Sequence, residues 1–130
     1  MERIVRTTKA SVGTLAQQIE IGPHVLLTDA ARDVGGEDRG PRPHELLDAA
    51  LAACTALTLT LYARHKGIAL TALDVEVSHE EHHGVYRMRR DIRVGGELSA
   101  EQRTRMLEIA NNCPVHRTLS GKIDIVSQLD

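Results

Sequence analysis

The sequence predicts an α+β domain, and three stretches carry that prediction. Residues 43–67, PHELLDAALAACTALTLTLYARHKG, form a long apolar run in which Asp48 is the only charge between Leu46 and Ala63. Residues 69–96, ALTALDVEVSHEEHHGVYRMRRDIRVGG, alternate apolar and polar side chains around a histidine-rich centre. Residues 98–113, LSAEQRTRMLEIANNC, repeat their apolar positions at helical spacing. Helix, hairpin and helix in that order, with β-prone segments before and after, describe one domain spanning residues 1–130.

The elements follow in chain order. Residues 5–21 alternate weakly, are enriched in Val and Thr, and are interrupted by Gly13, which predicts a strand or hairpin. HVLLTD, residues 24–29, is a second short strand after Gly22-Pro23. DVGGEDRGPRP, residues 33–43, is a loop by its Gly and Pro content. Pro43 suits the first turn of the long helix, Glu45 its positive end, and Lys66-Gly67 its stop. A helix apolar on all sides is expected to be buried on all sides, under a sheet or a second chain.

In the next segment Leu73, Val75 and Val77 share one face. Tyr86, Met88, Arg90 and Ile92 continue it on the return strand, with the turn near His82-His83-Gly84. Ser99 and Gln102 make a capping box for the second helix, whose Met106, Leu107, Ile109 and Ala110 are assigned to the core. Pro114 sets the end of that helix near Asn112. KIDIVSQL, residues 122–129, is expected to be a final strand.

Composition narrows the function. Sixteen Lys and Arg stand against 18 Asp and Glu, a formal net charge of −2, and the aromatic residues are Tyr62 and Tyr86. Nucleic-acid binding calls for a basic footprint, and single strands call for aromatic platforms as well. Neither pattern is present. The opening stretch MERIVRTTKASVG has no apolar signal core, and no segment holds about 20 uninterrupted apolar residues. The expectation is a soluble, cytoplasmic protein with no nucleic-acid or membrane partner.

The most conspicuous motif is His79-Glu80-Glu81-His82-His83, a match to H-E-x-x-H. In zinc hydrolases that spacing works because both histidines lie one turn apart on a helix. On a strand, positions i and i+4 are roughly 13 Å apart. The segment is therefore read as a polar hairpin tip. A zinc site on Cys113-Pro-Val-His116 is a second, minor possibility, since it has C-x-x-H spacing and Cys54 with one further His or Asp would have to complete it.

Two cysteines remain. Cys54 lies midway along the apolar helix and Cys113 at the end of the second helix. Each could be a small core side chain or a reactive thiol. The run GGEDRGPRPHELLDAALAACTALTLTLYARHKG and the later LEIANNCPVHRTL together resemble the OsmC/Ohr family, the osmotically inducible protein C and organic hydroperoxide resistance proteins. The shared features are a Gly-Gly loop, P-x-E-L-L, the A-A-C-T helix and C-P-V-H-x-T-L.

The resemblance implies an OsmC-like α+β fold: N-terminal strands, a buried central helix, a hairpin, a second helix and a C-terminal strand. It also implies an intertwined homodimer with active sites at the dimer interface. The implied activity is a cysteine-based antioxidant and stress-response peroxidase acting on organic hydroperoxides. It needs no metal, haem or other cofactor, and it is recycled by an external dithiol, for which a dihydrolipoyl group serves in some relatives. By resemblance Cys54 is the peroxidatic cysteine and Cys113 the resolving one.

An activating Arg is implied in the N-terminal hairpin around residues 13–15, where this chain has none. Arg6 and Lys9 are the nearest cations, and Arg39 in the loop is the candidate replacement. The family carboxylate falls at His44, with Glu45 one residue later; Glu45 could equally be an ordinary first-turn acid. The alternative to a peroxidase is a redox sensor or small-molecule binding protein on the same fold.

Overall fold

The structure is a computed structural model and describes residues 2–130. The chain divides into two compact units, Met1–Leu47 and Asp48–Asp130.

The first unit is built on a three-stranded antiparallel sheet of β1 (Val5–Lys9), β2 (Gln17–Ile21) and β3 (His24–Thr28), in the order β1-β2-β3. Val5 pairs with Ile21, and Ile21 pairs with His24 across the Gly22-Pro23 turn. The segment expected to hold one strand or a hairpin thus forms the hairpin. Ala10, Ala16 and Ile19 are its buried apolar side chains.

Buried Asp29 ends β3 and organises the loop that follows. Its carboxylate accepts hydrogen bonds from the backbone N–H groups of Ala30 (2.8 Å), Glu37 (3.1 Å) and Arg39 (3.1 Å). The Arg39 and Glu37 amides chiefly hold its carboxyl below the usual carboxylate value.

Helix α1 runs unbroken over Pro43–Lys66, starting at the proline the sequence marks. Gly67, at φ +69°, closes it in the left-handed conformation that suits glycine. The Ile68 amide reaches back to the Ala63 carbonyl at 2.8 Å and the Gly67 amide to Arg64 at 3.3 Å, the paired bonds of a Schellman stop.

In the second unit, β4 (Ala72–His82) and β5 (Val85–Gly95) pair along their full length, from Ala72 with Gly95 to His82 with Val85. His83 (φ 51°) and Gly84 (φ 78°) form the two-residue turn, both in the positive-φ region that a type I′ hairpin requires. α2 (Ala100–Ala110) carries the expected capping box: the Gln102 amide donates to Ser99 Oγ and the Ser99 amide to Gln102 Oε1. The core is Leu59, Ala63, Met106 and Ala110, with Tyr62, Leu73, Ile92, Val94 and Ile109 packed against it.

Four expectations change. α1 is not buried on all sides within one chain. Asp48, Leu51, Thr55, Leu59 and Ala63 form a buried stripe at helical spacing, whereas Leu57 is 65% and Leu61 62% exposed. The helix is long and apolar enough to cross a bilayer by length and composition, a property shared with core helices of soluble folds. Leu107 also points outward, because the buried positions of α2 are Met106 and Ala110, about a turn apart.

Third, Pro114–Ser120 forms a short helix, α3, with Pro114 in its first turn and Cys113 as N-cap. A Cys-Pro step that ends one helix also begins another, since proline has no N–H to lose there. Fourth, residues 122–129 form no strand. Ile125 is 82% exposed and Leu129 99% exposed. Alternation alone makes no strand; a neighbouring edge must supply the backbone partners.

Candidate functional site

Both cysteines lie in the second unit, in reduced form. Cys54 is half-buried on α1, and Cys113 is completely buried at the α2–α3 junction. The fold brings these distant residues together. The Val115 amide points at Cys54 Sγ (3.5 Å), and the His116 amide points at Cys113 Sγ (3.4 Å). Thr55, next to Cys54 in sequence, turns its hydroxyl to within 3.9 Å of Cys113 Sγ.

Burial would by itself raise the Cys113 thiol. Hydrogen bonds from the His116 amide, the Cys54 side chain and Thr55, with the Arg90 charge, hold it below the ordinary value instead.

The cation joined to this cluster through Thr55 and His116 is Arg90. It stands on β5, in the inward-facing row that the alternation assigns to Tyr86, Met88, Arg90 and Ile92. Its Nη1 donates to Thr55 Oγ1 (3.1 Å) and the Ala110 carbonyl (3.2 Å). Its Nη2 donates to Asn111 Oδ1 (2.8 Å) and faces His116 Nδ1 (3.1 Å). With a guanidinium on Nδ1, the imidazole accepts there and carries its proton on Nε2. Burial first, and then the Arg90 charge, lower the His116 pKa.

The neutral imidazole is the one that fits, so folding stability tied to His116 is present above its unfolded pKa of about 6.5 and is lost as pH falls. Urea midpoints of the wild type are expected to drop between neutral and mildly acidic pH. His116→Asn should lessen that drop.

Arg90 and His116 also wall a cleft of about 230 Å³ whose apolar sides are Leu51, Met88 and Leu119. Leu51 belongs to the buried stripe of α1, whereas Leu57 points outward. Tyr86 edges the same cleft and donates from its hydroxyl to Asp48 Oδ1 (2.7 Å). Burial, then the Asp48 hydrogen bond and charge, push the phenol well above its ordinary value.

Asp48 is buried, and its other oxygen meets His79 Nδ1 at 2.5 Å. The His79 and Tyr86 rings stack with centroids 4.6 Å apart. His79 is therefore not part of a solvated tip. It extends the inward face of Leu73, Val75 and Val77, and only His82, His83 and their neighbours are exposed at the turn.

A polar hairpin tip would tolerate replacement of both His79 and His83; the structure divides them. His79→Ala leaves a buried carboxylate short of a partner and should cost about 1–2 kcal/mol in urea unfolding. His83→Asn installs the favoured Asn-Gly turn and should leave stability within about 0.5 kcal/mol of wild type, or raise it.

The remaining candidates lie in the first unit. Glu45 Oε1 accepts from the Arg42 amide at 2.8 Å and lies 3.5 Å from its guanidinium, the arrangement of a first-turn acid. The helix is unbroken from Glu45 to Cys54, and nine residues advance about 13.5 Å along its axis. Arg39 pairs with Glu37 at 3.6 Å, and Glu37 also accepts from the Thr14 amide at 2.8 Å. Among the described residues, no three or more His, Cys, Asp or Glu side chains gather as a metal site. His116 turns Nδ1 to Arg90, which opposes a metal on that nitrogen.

Arg90, Thr55 and Asp48 were not singled out from sequence. For Arg90 the signal was present: a charge at an inward strand position needs internal partners.

Residues 35–128 match the family model described as OsmC-like protein. Among solved structures, an OsmC-like protein from Mycoplasma pneumoniae superposes with a TM-score of 0.76 at 19% identity, covering 93% of this chain and 89% of that one. An organic hydroperoxide resistance protein OsmC from Legionella pneumophila gives 0.68 at 20% identity, with coverage of 95% and 93%. The organic hydroperoxide resistance protein OhrB of Bacillus subtilis gives 0.63 at 22%, with coverage of 95% and 94%. At these identities the likeness concerns the fold. No curated protein matches the sequence.

Proposed function

This chain belongs to the OsmC-like protein family, and from that premise we propose that it is a thiol peroxidase that reduces organic hydroperoxides. The observation that carries the reading is the convergence of the two thiols on the start of α3: half-buried Cys54 and buried Cys113 take the adjacent amides of Val115 (3.5 Å) and His116 (3.4 Å). Membership supports a peroxide-related, antioxidant role; the steps below are inferred from the chemistry of the pair.

Cys54 is the more accessible thiol and takes the first step. Its thiolate attacks the terminal oxygen of ROOH. The O–O bond breaks, Cys54 becomes a sulfenic acid, and RO⁻ leaves to be protonated to the alcohol. The Cys113 thiolate then attacks the Cys54 sulfur. The S–S bond forms, the S–O bond breaks, and hydroxide leaves as water after protonation. An external dithiol reduces the disulfide by exchange. The apolar walls of the cleft suit the organic group R.

The active unit is proposed to be a homodimer, supported by the outward leucines of α1 and the unpaired apolar segment 122–129. Its compartment is proposed to be the cytoplasm, where an intact dithiol pool keeps both cysteines reduced.

The test is consumption of cumene hydroperoxide by the purified protein with a dithiol reductant. Turnover supports the reading. Formation of one Cys54–Cys113 disulfide without turnover replaces it with a redox sensor, and two inert thiols replace it with a binding protein.

A further inference from the structure

The charge of Arg90 lacks a counter-ion among the described residues. Its four acceptors, Thr55 Oγ1, the Ala110 carbonyl, Asn111 Oδ1 and His116 Nδ1, are all neutral. None of the ion pairs in the described residues includes it. A guanidinium on the inward side of a sheet satisfies its hydrogen bonds this way, yet its charge stays uncompensated.

The group beside it that can become anionic is the Cys113 thiol, two contacts away through Thr55. Thr55 provides the connection. It is completely buried, its hydroxyl donates to the Leu51 carbonyl at 2.7 Å, and it accepts from Arg90 at 3.1 Å. A hydroxyl has one proton and two lone pairs. With the proton on Leu51 and one lone pair on Arg90, the second lone pair is left to face Cys113 Sγ at 3.9 Å. In the reduced state that lone pair accepts the Cys113 S–H. When Cys113 ionises, the hydroxyl can swing its proton from the carbonyl to the sulfur, with the guanidinium behind it.

We infer that Arg90, acting through Thr55, is the positioning residue that readies Cys113 as the attacking thiolate in disulfide formation. The cation then comes from the hairpin strand β5. This rests on the thiol-peroxidase reading for its place in the cycle, but the ionisation of Cys113 can be measured without any peroxide. The charged and titratable groups around Cys113 are Cys54 on α1, Arg90 on β5 and His116 on α3.

The experiment is a pH titration of the ultraviolet thiolate absorbance of the full chain in a Cys54→Ser background, which leaves Cys113 as the sole thiol. The midpoint is expected below the usual thiol value of about 8.5. Adding Arg90→Gln should raise it by about one pH unit, an approximately tenfold loss of thiolate at neutral pH. Arg90→Lys should restore most of the difference. With Cys54 present, Arg90→Gln should slow conversion of the sulfenic acid to the disulfide about tenfold in single-turnover oxidation, read by dimedone trapping and mass spectrometry.

If Arg90→Gln does not fold by circular dichroism, Thr55→Val takes its place, with Thr55→Ser as its rescue. A midpoint unmoved in the folded variant overturns the inference, whatever happens to activity. A wild type that consumes no hydroperoxide but whose Cys113 midpoint responds to Arg90 overturns the peroxidase reading and leaves the Arg90–Cys113 coupling standing.

Discussion

Cys54→Ser is expected to abolish hydroperoxide consumption, lowering turnover by at least about 10³-fold, whereas Cys113→Ser keeps one fast turnover and then stalls. The asymmetry follows from burial and connectivity. Cys54 is the half-buried thiol and can be reached by a substrate oxygen, while Cys113 has no exposed surface. A serine hydroxyl at 54 has no comparable anion near neutral pH, and oxygen is a poor nucleophile toward O–O bonds. With Cys113 removed, the Cys54 sulfenic acid still forms but meets no internal thiol. It should be trappable with dimedone and should advance to sulfinic acid under excess oxidant. Loss of hydroperoxide followed chromatographically, with intact-mass analysis of the protein, separates the two variants. Wild-type turnover by Cys54→Ser would sink the mechanism.

How far the sequence reveals this molecule depends on whether an element is completed by its own neighbours. The β4–β5 hairpin is legible because its alternation, its turn residues His83-Gly84 and its pairing partner all lie within one short stretch. The same holds for α2, whose capping box is a contact between Ser99 and Gln102. Helix α1 is legible as a helix but not in its exposure. A residue run that is apolar all round states that something must cover it, without stating whether the cover belongs to the same chain.

Residues 122–129 fail for the related reason that strand alternation does not supply an edge. His79 was misplaced because its meaning lies in Asp48, a residue on another element, and not in the H-E-x-x-H spacing around it. The family resemblance supplied the two cysteines, but it directed attention to the N-terminal half for a cation. Within the unit that holds both thiols, the inward-facing Arg90 was visible only as an irregularity in a strand pattern.

If the proposed homodimer forms through α1, Leu57→Glu together with Leu61→Glu is expected to convert it into a monomer, raising the dissociation constant by more than about 100-fold. The two leucines lie four residues apart on α1, so they project from neighbouring turns of one face. They are 65% and 62% exposed in the single chain. Burying a leucine fully is worth about 1.5–3 kcal/mol, and a carboxylate at the same interface would have to be desolvated without a partner. Sedimentation velocity should show the wild type at twice the 14.3 kDa chain mass and the double variant at the chain mass.

The substitutions replace outward side chains and leave the buried stripe of Leu51, Thr55, Leu59 and Ala63 intact. The monomer should therefore keep its helical circular dichroism. A truncation after Gly121 tests the second apolar feature independently, because Ile123, Ile125, Val126 and Leu129 are exposed in the single chain. If those residues add a strand to a partner's sheet, their loss weakens the dimer without touching α1. A wild type that stays monomeric at tens of micromolar, or a double variant that stays dimeric, would show that α1 is not the interface.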